Sequence, residues 1–252
     1  MIFLAASVII LLISSATALL SRRGSFFWNR FSLVTGLGGT LSGFAATLLC
    51  LVHSRTDVLN LDWPSMGSRF VLRLDPLAGI FLLPAFFIAG AGLLYGNSYW
   101  RFGSRPGSSA WIRFFYPLLA ASIAVVLTAG NGFLFLISWE IMALSGYFLI
   151  LTERQDNEAQ QAGIIYLVAT HTGTLALFGM FALLGEHTCL ISFPAAGSFA
   201  ADSLTTGLIL LLALVGFGFK AGIIPFHIWL PRAHAAAPSH VSALELRSFD
   251  RE

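Results

Sequence analysis

Gly207-Leu-Ile-Leu-Leu-Leu-Ala-Leu-Val-Gly-Phe-Gly-Phe-Lys220-Ala-Gly222-Ile-Ile-Pro225 is an apolar run that ends on a lysine, a glycine and a proline. A helix rises about 1.5 Å per residue, so about 20 apolar residues cross the roughly 30 Å hydrocarbon core of a bilayer. This run is long enough, and six more lie upstream, at 1–20, 31–52, 76–95, 114–129, 132–151 and 162–184. A partial eighth begins near Ala237. Composition agrees. Of 252 residues, 57% are hydrophobic and 10% charged, against about a quarter charged in an ordinary soluble domain. The 14 basic and 12 acidic groups are too few to cover a water-facing surface. A soluble enzyme, a disordered chain and a disulfide scaffold are disfavoured, and a net charge of +2 offers nucleic acid no basic field. The expected fold is all-α, a polytopic transmembrane helical protein of about seven spans with a broken seventh helix.

Loop charge orients the spans, because loops on the cytoplasmic side collect Lys and Arg. Arg22, Arg23 and Arg30 follow the first run rather than precede it, the pattern of an uncleaved anchor with its N-terminus outside. The loop with Arg101, Arg105 and Arg113 holds no acid, and the 186–206 loop holds no Lys or Arg. Only the net-acidic 152–161 loop runs against the scheme. Trp28, Trp100 and Trp111 fall at span ends, where indole rings prefer the interface. Between the second and third runs, Arg69-Phe-Val-Leu-Arg73 alternates as a short strand does, so a small external hairpin is expected.

Some motif-like features read as packing. Gly39 and Gly43 form a GxxxG pair, expected on a close helix–helix face. Gly216-Phe-Gly-Phe-Lys-Ala221 fits a loose dinucleotide pattern but lies inside an apolar helix rather than after a strand. Cys50 and Cys189 have neither metal-ligand nor disulfide spacing.

Charges within the spans carry the functional information. An ion at a helix centre costs on the order of 2.5–3.5 kcal/mol. Lys220 is the chain's only lysine, and Glu140 is the only carboxylate deep in a span. Two such groups need neutrality, each other, or a water-filled cavity. A structural ion pair holding two helices in register is one reading. A proton path is the other, and lysine suits it because it can release a proton where arginine stays charged. The break favours the path. Gly222 and Pro225 lie within five residues of Lys220, proline removes a backbone donor, and broken helices at membrane depth line cavities. His171 lies in the sixth run, and His227, His234 and His240 follow the break. Each could pass protons through water. Their irregular spacing and few acid partners argue against a metal site. The expected proton-translocation residues are Glu140, Lys220, His171, His227, His234 and His240, with Gly222 and Pro225 making the break.

Phe219-Lys-Ala-Gly-Ile-Ile-Pro-Phe-His-Ile-Trp-Leu-Pro231, followed by Ala237-Pro-Ser-His-Val-Ser-Ala-Leu244, closely resembles the antiporter-like membrane subunits of energy-converting complexes. That family includes the proton-pumping subunits of respiratory complex I, the large subunits of multi-subunit sodium/proton antiporters, and membrane subunits of formate hydrogenlyase and hydrogenase-4. Asn131-Gly-Phe-Leu-Phe-Leu-Ile-Ser-Trp-Glu140 is similar to its fifth-helix glutamate motif, and Leu74-Asp-Pro-Leu-Ala-Gly-Ile80 to the opening of its third helix.

The resemblance implies the N-terminal half of a fourteen-helix fold. Residues 1–112 would hold the first three helices and the hairpin, and 113–244 the first half-channel, with helices four to seven and the start of the eighth. Glu140 would be the fifth-helix acid and Lys220 the lysine of the broken seventh. Ser239-His240 and Arg232 tilt the resemblance toward the hydrogenase branch. It further implies that redox chemistry belongs to partner subunits with nickel-iron or iron-sulfur centres, beside other membrane subunits. This chain is expected to carry no cofactor and to be non-catalytic alone. The expected location is the inner membrane of a bacterial or archaeal cell.

Residues 245–252 depart from this pattern, because Glu245-Leu-Arg-Ser-Phe-Asp-Arg-Glu252 has five charges in eight residues. It reads as a truncation, frameshift or assembly artefact. Two rival functions follow, an inert remnant or assembly scaffold, and sodium/proton exchange.

Overall fold

The structure, a computed structural model, describes residues 1–20, 26–63, 68–103, 106–153, 157–187, 193, 202–231 and 233. It holds seven long helices: α1 (Ile2–Leu20), α2 (Phe26–His53), α3 (Pro76–Gly103), α4 (Pro106–Thr128), α5 (Gly132–Glu153), α6 (Asn157–His187) and α7 (Ser203–Ala221). Two strands, β1 (Asp57–Trp63) and β2 (Ser68–Leu74), separate α2 from α3, and a 3₁₀ turn (Phe226–Trp229) follows α7. All seven helices are long and apolar enough to cross a membrane. The chain is a multi-pass, all-helical membrane protein. His234, His240, Arg232, Cys189 and the 245–252 tail lie outside the described residues.

The helices outrun the apolar segments that announced them. Hydropathy marks the part of a helix that can sit in lipid, whereas backbone hydrogen bonding continues through polar ends. So α4 starts at Pro106, and Arg113, expected in a loop, is helical and donates from Nη1 to Asn29 Oδ1 at 2.6 Å. The seventh helix is shifted the other way, ending at Ala221 rather than 224. Its ends explain the difference. Asp202 caps the start, accepting from the Thr205 amide at 3.4 Å. Gly222 ends it in the left-handed conformation, with φ 65°. Hydrogen bonding from Thr205 also holds the exposed Asp202 carboxyl below its ordinary range.

In lipid, helices associate through close packing and polar contacts rather than through apolar burial alone. Both features tie α1 to its neighbours. Ser7 Oγ donates to the Gly39 carbonyl of α2 at 2.7 Å, and Ser15 Oγ to the Phe114 carbonyl of α4 at 2.7 Å. Ser14 and Ser32 exchange hydroxyl-to-carbonyl bonds at 2.7 and 2.9 Å. The GxxxG glycines of α2 serve two partners rather than one. Gly39 lies against Leu11 of α1, and Gly43 leaves room for the Phe86 ring of α3.

The hairpin is antiparallel, with Asp57 opposite Leu74 and Trp63 opposite Ser68. It is fastened at two places. The terminal ammonium of Met1 sits 2.7 Å from Asp57 Oδ2 and holds that carboxyl below its ordinary range. β2 also grips the connection between α4 and α5. The Gly130 amide donates to the Val71 carbonyl at 2.6 Å, and Phe70 stacks on Phe133 at 6.2 Å. A Cβ at Gly130 would lie 2.6 Å from Val71 Cγ1, so only glycine lets the hairpin approach this closely. One residue on, Asn131 Oδ1 accepts from the Leu134 amide at 3.0 Å and starts α5, the helix that carries Glu140.

Candidate functional site

α6 packs along both α5 and α7, so the acid-bearing and lysine-bearing helices share a neighbour. The α6–α7 crossing is tight because glycines meet there. A Cβ at Gly173 would lie 2.9 Å from the Gly216 carbonyl oxygen, and a Cβ at Gly216 would lie 2.6 Å from Leu177. Gly216, in the loose dinucleotide-like pattern, thus serves packing against α6. Above the crossing, Phe135 and Trp139 of α5 contact Phe217 of α7 at ring separations of 6.1 and 5.9 Å.

Each ionisable residue has a neighbour on α6. Glu140 meets His171, with Oε2 and Nε2 3.4 Å apart. Lys220 meets Tyr166, whose hydroxyl oxygen lies 3.4 Å from Nζ. The amine also lies over the Trp139 ring, 6.0 Å from its centroid. Trp139 immediately precedes Glu140, so the acid and the lysine approach the same turn of α5. The sequence had paired Glu140 with Lys220; the structure shows that α6 supplies a contact to each. Tyr166 and His171 are five residues apart, about 7.5 Å along the helix axis.

The Glu140–His171 contact is constrained by the second nitrogen of the ring. His171 Nδ1 lies 3.1 Å from the Leu167 carbonyl oxygen. A carbonyl can only accept, so Nδ1 carries a hydrogen, and Nε2 of the neutral ring is then an acceptor. An ionised carboxylate is an acceptor too. The Glu140–His171 contact therefore becomes a hydrogen bond only when one proton is added, on either the imidazole or the carboxyl. Both side chains reach the surface of the chain, His171 being 45% and Glu140 25% exposed.

The break beyond Lys220 is closed rather than frayed. The amides of Gly222 and Ile223 both donate to the Gly218 carbonyl, the latter at 3.1 Å. Trp229 then folds back from the 3₁₀ turn, and its indole Nε1 donates to the Phe219 carbonyl at 2.7 Å. That bond occupies a carbonyl that the end of an α-helix leaves without a helical donor. Lys220 lies in the last turn of α7, at the negative end of the helix dipole, which favours a cation. Pro225 separates α7 from the 3₁₀ turn, and His227 lies exposed in that turn. Among the described residues, no group of three His, Cys, Asp or Glu side chains could hold a metal ion.

Sequence reasoning missed Tyr166, Trp139 and Trp229. Tyr166 left one usable signal, a hydroxyl in the middle of an apolar span. Its pairing with Lys220, 54 residues away, left none.

These features define a class, a helical membrane protein with ionisable side chains gathered around an interrupted helix. Residues 129–246 match the family described as NADH:quinone oxidoreductase/Mrp antiporter, transmembrane. The chain belongs to this family of antiporter-like membrane subunits. It is 35% identical over 218 residues to hydrogenase-4 component B of Escherichia coli, covering 85% of this chain and 32% of that protein. It is 34% identical over 134 residues to NADH-quinone oxidoreductase subunit N of Desulfitobacterium hafniense, covering 51% of this chain and 27% of that one. The chain thus spans about a third or less of the relatives' length. The fold recurs in the membrane-bound sulfane sulfur reductase, an archaeal respiratory complex, with TM-score 0.79 and 22% identity over 96% of this chain and 39% of that one. It recurs also in the Mrp complex of a Dietzia species, with TM-score 0.77 and 23% identity over 97% of this chain and 26% of that one.

Proposed function

We propose that this chain moves protons as part of a membrane subunit of a respiratory-type complex. The observation that carries the reading is Lys220, the chain's only lysine, standing at a closed helix break against Tyr166. Glu140 and His171 form the loading group, and Lys220 carries the proton onward past Trp139. His227, His234 and His240, beyond the break, continue the path through water. Gly222 and Pro225 keep α7 from running on, so that the amine sits where the helix ends.

The whole assembly is of the hydrogenase-4 type. The resemblance of Ser239-His240 and Arg232 supports this, and so does the 35% identity to hydrogenase-4 component B. Other membrane subunits flank the chain, and peripheral subunits with nickel-iron or iron-sulfur centres perform the redox chemistry. The spans lie in a bacterial or archaeal inner membrane with the N-terminus outside, the orientation supported by Arg101, Arg105 and Arg113 between the third and fourth apolar runs.

The test is proton transport by the assembled complex in sealed vesicles. Replacing Lys220 with Ala should cut transport at least 10-fold, because no other amine stands in the span to take its place. Unchanged transport would refute the reading.

A further inference from the structure

Tyr166 is fully buried, and its hydroxyl oxygen stands 3.4 Å from Lys220 Nζ. A phenol hydroxyl donates and accepts, whereas an ammonium only donates. A neutral amine has a lone pair and accepts. We infer that Tyr166 is the positioning residue of Lys220, keeping its amine hydrogen-bonded at the helix break both with and without the transported proton. This inference rests on the proposal that Lys220 is the proton carrier.

In the charged state Nζ donates to the Tyr166 oxygen, and the face of Trp139, 6.0 Å away, adds cation–π attraction. When the proton leaves Nζ for the next group, the hydroxyl turns and donates to the amine lone pair. Tyr166 keeps its own proton throughout. Only the direction of the bond reverses, so the amine does not have to move between states.

The ring is held for this task. Trp229 meets Tyr166 edge to face at 5.3 Å, and the same indole donates to the carbonyl of Phe219, the residue before Lys220. Ile150 and Ala169 pack around the two rings. The hydroxyl and the amine are therefore referred to one clamp, and a shift of the break would move both together. If Tyr166 served only to fill space, phenylalanine would serve equally well.

Lys220 is the only lysine, so ¹⁵Nζ-lysine labelling of this chain in lipid gives one side-chain amine resonance. Replacing Tyr166 with Phe keeps the ring and removes the hydroxyl. The resonance should move, and proton transport by the assembled complex should fall about 3- to 10-fold. If either quantity stays at its original value in the Phe variant, the positioning role is overturned. The unaltered protein gives a second check that needs no variant. Labelled Nζ should show a dipolar contact to a ¹³C-labelled tyrosine ring, and its absence would also overturn the inference. Failure of the underlying reading looks different, since Lys220→Ala would then leave transport intact whatever Tyr166 does.

Discussion

Glu140 and Lys220 meet α6 at two places built on different plans. At the acid, two titratable side chains face each other and both reach the chain's surface, His171 at 45% and Glu140 at 25% exposure. At the lysine, the neighbours are aromatic and buried, Tyr166, Trp139 and Trp229, and the backbone is closed by αL glycine and an indole bond. The first arrangement is open at the chain's surface, with His171 also 3.1 Å from the Leu167 carbonyl oxygen. The second holds an amine in one place against a fixed frame. Proton uptake needs access, and directed transfer needs a fixed position. Under the proposed function, the two places would divide those demands along one helix.

The separation can be broken from the lysine side. Gly222 holds φ 65°, and a Cβ there would lie 2.7 Å from Leu230 Cδ1. Gly222→Val should cost about 2–4 kcal/mol by thermal unfolding in detergent, since a β-branched residue fits this backbone poorly and must also displace Leu230. The same variant should disturb the lysine resonance while leaving the Glu140–His171 contact in place. Trp229→Phe is a smaller insult. It removes the donor to the Phe219 carbonyl but keeps a ring beside Tyr166, and should cost about 1–3 kcal/mol in the same measurement.

The smallest effect lies away from both ends, at the hairpin. The terminal ammonium holds the Asp57 carboxyl below its ordinary value, so this residue contributes stability only while ionised. That contribution is fully present above the ordinary carboxylate range and is lost as pH falls below it. Asp57→Asn should therefore lower the unfolding temperature slightly at neutral pH, with the difference vanishing in acid, and leave transport unchanged.

Much of this fold can be read from hydropathy, because lipid requires long apolar helices whatever their neighbours. All seven runs are helices, and β2 includes the strand read at Arg69–Arg73. Hydropathy does not say which face meets which helix, since an apolar side chain is equally suited to lipid and to a packed interface. The rare ionisable residues stood out for the same energetic reason, and Glu140, His171 and Lys220 were visible as costly exceptions. Their neighbours were not. Tyr166 costs little in a span, so its hydroxyl is a weak mark, and its contact with Lys220 depends on a helix crossing set by Gly173 and Gly216. The helix break was legible from Gly222 and Pro225, whereas its closure by Trp229 depends on the chain turning back ten residues later.

The central claim about the acid end is that Glu140 and His171, 3.4 Å apart, serve transport as one unit. The direct measurement is proton transport by the assembled complex carrying Glu140→Gln, His171→Gln, or both. Each single substitution should reduce transport about 10-fold or more, and the double variant should be no worse than the more damaged single, because removing either partner already breaks the contact between them. If the double loss equals the product of the two single losses, the residues act independently and the account is wrong.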